Sequence, residues 1–212
     1  MIRHPVELPL HRDQAYFAVV VGQALQVFGI RDYADPYEVE RLAGCQEGDL
    51  LHDLEAYISL LHAGLRLCEF TTYRAELMAR EGAHYLRKAF VRWTPELEAH
   101  YTPENVSFYQ YMAQRFVATV QSLPAGHYGR ILRPLDKMDV LAALGRSQAV
   151  LLQVRQTNGR LQPVLVTPPT GADENIVGWA YDPGNSGTAT RLQLNALWAR
   201  HDPTASAVLI SR

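Results

Sequence analysis

The two cysteines are the side chains of this sequence best suited to covalent chemistry, and neither stands in a favourable setting. Cys45 follows Gly44 at the expected end of a helix, in "LAGCQEG", and Cys68 lies inside the apolar run "LRLCEF". A catalytic thiolate is usually stabilised by a helix N-terminus and by a histidine partner. Because both cysteines lack these neighbours, we expect Cys45 to be a partly exposed thiol and Cys68 to belong to the core.

The histidines are the candidate bases and metal ligands, and their spacing favours neither role. His52 and His62 share a predicted helix, but they lie ten residues apart and no third ligand accompanies them as a zinc site requires. His127, between the glycines of "PAGHYGRI", is either a functional imidazole in a loop or an ordinary turn residue. The GxSxG, P-loop, GxGxxG and HExxH motifs are absent from the sequence. We therefore expect no metal and no cofactor.

One segment interleaves basic and aromatic side chains, a pattern typical of nucleic-acid or membrane-surface patches. It is "EGAHYLRKAFVRW", in which Arg87, Lys88 and Arg92 alternate with aromatic residues. An amphipathic helix with a solvated basic face explains the same pattern. The net charge of −2 and the pI near 6.4 give no overall attraction to polyanions. We therefore expect no nucleic-acid partner.

The composition, with 48% hydrophobic and 20% charged residues among 212, is that of a globular domain. The first residues, "MIRHPVELPL", lack the apolar core of a signal peptide. No stretch of the sequence approaches the roughly 18 apolar residues that a membrane span needs. These features predict a cytoplasmic protein without a membrane span, and they indicate no oligomeric state.

Apolar residues at helical spacing predict that the N-terminal part of the chain is mainly helical. The first helix, in "HRDQAYFAVVVGQALQVFGI", is expected to begin at Asp13 and to end at Gly29. "DPYEVERLAG" and "GDLLHDLEAYISLLHAGL" predict two further helices that end at Gly44 and Gly64. The alternating run "LRLCEF" then predicts a short strand.

A second helical block is predicted over residues 71–122. Within it, Thr102 followed by Pro103 and Glu104 marks a helix start, because threonine caps the first turn and proline fits its first position. "RPLDKMDVLAALG" predicts one more helix, which ends at Gly145.

Strand patterns replace helical patterns from residue 148 onwards. "QAVLLQVRQ" and "LQPVLVTP" predict two strands of a hairpin, joined by the Asn-Gly turn in "TNGR". "ENIVGWAYDPG" predicts a third strand, "LQLNALWAR" a helix and "SAVLISR" a final strand. Helices followed by an antiparallel sheet are typical of the α+β class.

The order of these elements resembles the bacteriocin-processing cysteine peptidase family, a papain-like group. In that family the first long helix begins with the catalytic cysteine, one strand carries the catalytic histidine and another strand ends in Asp-Pro. Here "YFAVVVGQALQVFGI" is similar to the first segment, "LQPVLVT" to the second and "IVGWAYDPG" to the third. The resemblance implies a single papain-like domain over residues 1–212. Its N-terminal helices would pack on a C-terminal antiparallel sheet, with a helical insertion at 71–130.

The same resemblance implies that the catalytic residues are lost. Counted back from Phe28, the nucleophile position is occupied by Tyr16, and the histidine position is occupied by Gln162. A phenol is a poor acyl-transfer nucleophile at pH 7, and an amide cannot take up and return a proton. Asp182 keeps the third position, although its place in an Asp-Pro-Gly turn explains it equally well. The family's oxyanion glutamine corresponds to His11, so that role is not conserved here.

The resulting expectation is a catalytically inactive papain-like domain, a pseudo-peptidase that binds a peptide or protein partner. Tyr16, Gln162, Trp179 and Asp182 are the side chains expected to line its groove. Trp179 also fits a core position on an alternating strand.

Two alternatives stay open at this point. The first is an active cysteine peptidase or amidohydrolase with relocated groups, in which Cys45 or a serine is the nucleophile and His127 or His11 is the base. The second is a structural subunit of a larger assembly, whose interface lies on the helical insertion.

Overall fold

Eight helices and a seven-stranded mixed sheet make up the part of the chain that the computed structural model describes. That part comprises residues 16–30, 36–45, 51–89, 95, 99, 101–157, 159–169, 177–183 and 189–212. The chain divides into two compact units. The sheet unit contains Met1–Thr72 and Gly126–Arg212, and the helical unit contains Tyr73–Ala125. The α+β class predicted from the sequence is confirmed.

The helices and strands alternate irregularly along the chain. The helices are α1 (Tyr16–Val27), α2 (Pro36–Leu42), α3 (Asp53–His62), α4 (Ala75–Glu81), α5 (Ala83–Ala89), α6 (Pro103–Ser122), α7 (Lys137–Gly145) and α8 (Leu194–Arg200). The strands are β1 (Arg66–Phe70), β2 (Tyr128–Ile131), β3 (Ala149–Arg155), β4 (Leu161–Thr167), β5 (Trp179–Tyr181), β6 (Ala189–Arg191) and β7 (Ala207–Ser211).

Helix ends follow the predicted local signals where the structure describes them. Gly29, just after α1, has φ +64° and Gly64, just after α3, has φ +83°, a left-handed conformation that glycine adopts without steric cost. The Thr102 hydroxyl accepts a hydrogen bond of 3.3 Å from the Asn105 amide at the start of α6, as predicted. The predicted cap of α1, Asp13, lies outside the described residues.

The sheet has the strand order β2-β1-β7-β3-β4-β5-β6. All neighbouring strands are antiparallel except β1 and β2, which are parallel, so the expectation of a purely antiparallel sheet is wrong at this edge. Parallel neighbours need a long connection, and residues 71–127, which contain the helical unit, supply it here. The segment that contains β2 was expected to be a loop.

One face of the sheet packs against α7 and α8. The core on this face, which we call the α7–α8 core, joins Val140 and Leu144 of α7 and Leu197 of α8 to apolar side chains of the strands. Those strand residues include Val150, Leu152, Val154, Val164, Val166 and Ala180. Helix α1, by contrast, packs against β4 and against α2 and α3, and every residue from Ala18 to Val27 is buried. Two of these residues, Gln23 and Gln26, are polar, and burial on all sides is typical of a helix in a protein interior.

Gly178, just before β5, is held close to the neighbouring backbone. A Cβ atom at this position would lie 2.6 Å from the Thr167 carbonyl oxygen and 3.2 Å from Leu144 Cδ1. Gly178→Ala should therefore lower the free energy of unfolding by about 1–3 kcal/mol, measured by urea denaturation. Gly129→Ala is the matched control, because nothing lies within 4 Å of its Cβ position. Equal denaturation midpoints for the two variants would contradict the prediction.

The helical unit contains α4, α5 and α6, and α4 packs against α6. The side-chain amides of Gln110 and Gln114 on α6 both donate to the Ala79 carbonyl oxygen, each at 3.1 Å. The Tyr85 hydroxyl accepts a hydrogen bond of 2.7 Å from the Arg74 amide. Across the described ranges, no helix combines the length and apolar character needed to cross a membrane.

Candidate functional site

The clearest polar contact among the predicted site residues joins Gln162 to Asp182. Gln162 is the second residue of β4, and Asp182 directly follows β5, the next strand of the sheet. The Gln162 Nε2 group donates a hydrogen bond to Asp182 Oδ1. Because an ionised carboxylate can only accept, this contact fixes the orientation of the amide.

The other half of the Gln162 amide lacks a partner. Gln162 has 0% exposure, and within the described ranges its Oε1 atom has no hydrogen bond. A buried carbonyl oxygen without a hydrogen bond costs free energy. Gln162 was expected to line a groove, and the structure shows its side chain without exposed surface.

Arg200, the last residue of α8, completes the arrangement. Its Nη1 and Nη2 atoms each lie 3.2 Å from Asp182 Oδ2, so both carboxylate oxygens are engaged. We call the three residues Gln162, Asp182 and Arg200 the amide–carboxylate–guanidinium centre. Arg200 keeps 40% of its side chain exposed and Asp182 keeps 13%, so these two residues present the polar surface of the centre. Sequence reasoning missed Arg200, because no motif indicates which residue of α8 reaches β5.

Strand alternation places Gln162 on the face of the α7–α8 core. Gln162 pairs directly with Val154 of β3, and directly opposed residues of antiparallel strands project from the same face. Val154 belongs to the α7–α8 core, which contains no residue of α1. Tyr16, the half-buried first residue of α1, makes no hydrogen bond to Gln162 or Asp182. The structure therefore joins Gln162 to Asp182 by a hydrogen bond, and among the described residues no hydrogen bond links either of them to Tyr16.

Trp179 lies apart from this centre as well. It is the half-buried first residue of β5, and its neighbour Ala180 faces the α7–α8 core. Successive side chains of a strand point to opposite faces, so Trp179 projects from the other face. Of the four side chains expected in one groove, the structure groups Gln162 and Asp182.

Cys45 forms a hydrogen bond with a neighbouring carboxyl group. Its Sγ atom donates to Glu55 Oε1 at 2.8 Å, while Glu55 Oε2 accepts from the His52 amide at 3.0 Å. Cys68, half-buried on β1, packs against the α7–α8 core, and burial raises the pKa of its thiol.

His127 precedes β2, and its carbonyl oxygen accepts a hydrogen bond of 2.8 Å from the Leu67 amide. Its Nδ1 atom is buried and has no hydrogen-bond partner within the described ranges. The Cys45 Sγ atom donates to Glu55, and the cysteine–histidine pair of the relocated-group alternative stays a prediction. The other candidate base, His11, lies outside the described residues.

Comparisons with known proteins add no family assignment. No protein-family model matches the chain, and no curated protein is significantly similar to it. In the part of the chain that the structure describes, no three or more His, Cys, Asp or Glu side chains converge to hold a metal ion.

Proposed function

We propose that this chain is a non-catalytic binding domain of papain-like architecture, a pseudo-peptidase that holds a peptide segment without cutting it. The observation that carries the proposal is the Gln162–Asp182 hydrogen bond. In a papain-like arrangement a histidine hydrogen-bonded to its orienting residue would act as the base. An amide in that position makes the same hydrogen bond but cannot carry a proton.

Two further contacts support binding rather than catalysis. Arg200 lies against the second oxygen of Asp182, so the carboxylate is already engaged on both sides. The exposed part of Arg200 can donate to the C=O groups of a peptide, and the exposed part of Asp182 can accept from its N–H groups. Strand β6, two positions from β4, is the edge of the sheet, and edge strands are where extended segments add to a sheet.

The order and packing of the helices and strands support the papain-like architecture that we propose. Helix α1 packs against β4, and the Asp-Pro strand β5 is the neighbour of β4. Tyr16 at the nucleophile position is part of this proposal, but the binding centre does not depend on it. A peptide or protein is the partner that this centre would take.

Peptide capture tests the proposal. A phage-displayed library of random 12-residue peptides is selected on the immobilised protein, and the enriched peptides are measured by fluorescence anisotropy. Arg200→Gln should weaken their binding at least about tenfold, as expected for removing a charged anchor of an interface. Arg155→Gln is the matched control, because Arg155 also forms a half-exposed ion pair, with Asp202. Absence of any enriched peptide, or equal binding by both variants, would contradict the proposal.

A further inference from the structure

A second group of ionisable side chains lies at the opposite end of the strand order, between α3 and the β1–β2 pair. Its central member is Glu69 of β1, which has only 2% exposure. The Tyr128 hydroxyl of β2 donates a hydrogen bond to Glu69 Oε2. A buried carboxyl group that contacts the neighbouring strand is a departure from the usual rule that glutamate stays in water.

The surroundings of Glu69 come from several elements. Asp53 of α3 repels its negative form, whereas Arg130 of β2 attracts it. The Tyr128 hydroxyl donates a hydrogen bond to the carboxyl, and the nearby Ser206 hydroxyl donates to Thr71 at 2.9 Å. Tyr57 of α3 is 1% exposed, and burial raises its pKa well above the ordinary value, so it stays a neutral phenol.

Burial is the largest of the effects on the pKa of Glu69. It raises the pKa of the carboxyl to about 7, against the opposing effects of the Tyr128 hydrogen bond and of Arg130. Burial also raises the pKa of Tyr128, so the phenol remains a donor. Near neutral pH the carboxyl therefore exists in both protonation states.

Strand β2 is the element that this contact can influence. It has four residues and ends the strand order, with β1 as its neighbour in the described sheet. The Leu67 amide donates to the His127 carbonyl oxygen at 2.8 Å, and the Thr71 amide donates to the Ile131 carbonyl oxygen at 3.1 Å. So short an edge strand depends on its side-chain contacts as well as on these main-chain bonds.

We propose that the buried carboxyl group of Glu69, which lies against Tyr128 of β2, makes the attachment of β2 to β1 depend on pH. With Glu69 neutral, the contact is buried at little electrostatic cost and β2 stays paired. When Glu69 ionises, its negative charge is buried beside Asp53 at a cost in free energy. Local opening of the β1–β2 edge lowers this cost, because it admits water to the carboxylate. The chain leaves β1 for the helical unit and returns from it into β2, so the opening would loosen this connection.

Hydrogen exchange of the Leu67 and Thr71 amides tests the proposal. Their protection factors should fall about 50- to 100-fold between pH 5 and pH 8, because the opened state releases the carboxyl proton at an ordinary pKa. At both pH values these amides should exchange faster than the amides between β3 and β4, and low urea concentrations should not change their exchange. Glu69→Gln should abolish the pH dependence.

Two variants make the outcome decisive. Tyr128→Phe keeps the ring but removes a hydrogen bond that lowers the pKa of Glu69, so the fall in protection should extend to a higher pH. Glu104→Gln, at an exposed position of α6, is the control and should exchange as the unmodified chain does. The proposal is overturned if the Leu67 and Thr71 amides lose protection together with the β3–β4 amides, or if Glu69→Gln retains the pH dependence.

Discussion

Asp182→Ala is expected to lower the free energy of unfolding by about 2–4 kcal/mol, measured by urea denaturation at pH 7. The substitution removes the acceptor of the Gln162 amide, which has no exposed surface and therefore cannot turn to water instead. It also leaves the Arg200 guanidinium without the carboxylate that it contacts. The loss of the buried hydrogen bond is the larger effect, because a partly exposed ion pair is worth at most about 1 kcal/mol.

Asp182→Asn separates these two effects. An asparagine oxygen can still accept from the Gln162 amide, while the charge opposite Arg200 is lost. This variant should therefore cost less than about 1 kcal/mol. If Asp182→Ala were no more destabilising than Asp182→Asn, the hydrogen bond to Gln162 would not be the contact that stabilises the centre.

Stability should fall by about 2–3 kcal/mol between pH 5 and pH 8 because of Glu69 alone. The pKa of this carboxyl is about 7 in the folded chain, above its ordinary value of 4.5. The folded state therefore keeps a proton that the unfolded state has already released. The contribution of Glu69 to stability is full below about pH 4.5 and is lost as the pH rises to about 7.

Glu69→Gln isolates this contribution from that of the other titrating groups. Glutamine has the shape of the neutral acid, so the variant should match the unmodified chain at pH 5 and exceed it by about 2–3 kcal/mol at pH 8. Urea denaturation at four pH values between 5 and 8 provides the comparison. Parallel stability curves for the two proteins would show that Glu69 titrates at an ordinary pKa.

The elements with strong periodicity were predicted from the sequence, and the weak ones were not. Helices α1, α3 and α6 and strands β3, β4 and β7 carry long apolar patterns that local residues can specify. Strand β2 has an alternating but half-exposed pattern that includes Gly129, and it forms because β1 offers a partner. The three residues of β6 are similarly too few for a pattern. Long-range pairing, which no local window contains, decides both cases.

The candidate site was predictable in part. Gln162 and Asp182 were expected to belong to one site, and the structure joins them by a hydrogen bond. Arg200 could not be assigned, since its contact depends on how α8 crosses the sheet. Strand alternation puts Gln162 on the face covered by α7 and α8, and the expected place of Tyr16 beside it stays a prediction. Glu69 had one sequence signal, a charge inside the buried run "LRLCEF".

The central claim is that this chain binds peptides without cleaving them. Its most direct test is to incubate the phage-selected peptides with the purified protein at pH 7 for a day and to determine their masses. The account predicts that the peptides stay bound and keep their full mass. Cleavage products that appear with the unmodified chain and disappear with Asp182→Ala would contradict it, because they would make the Gln162–Asp182–Arg200 centre catalytic.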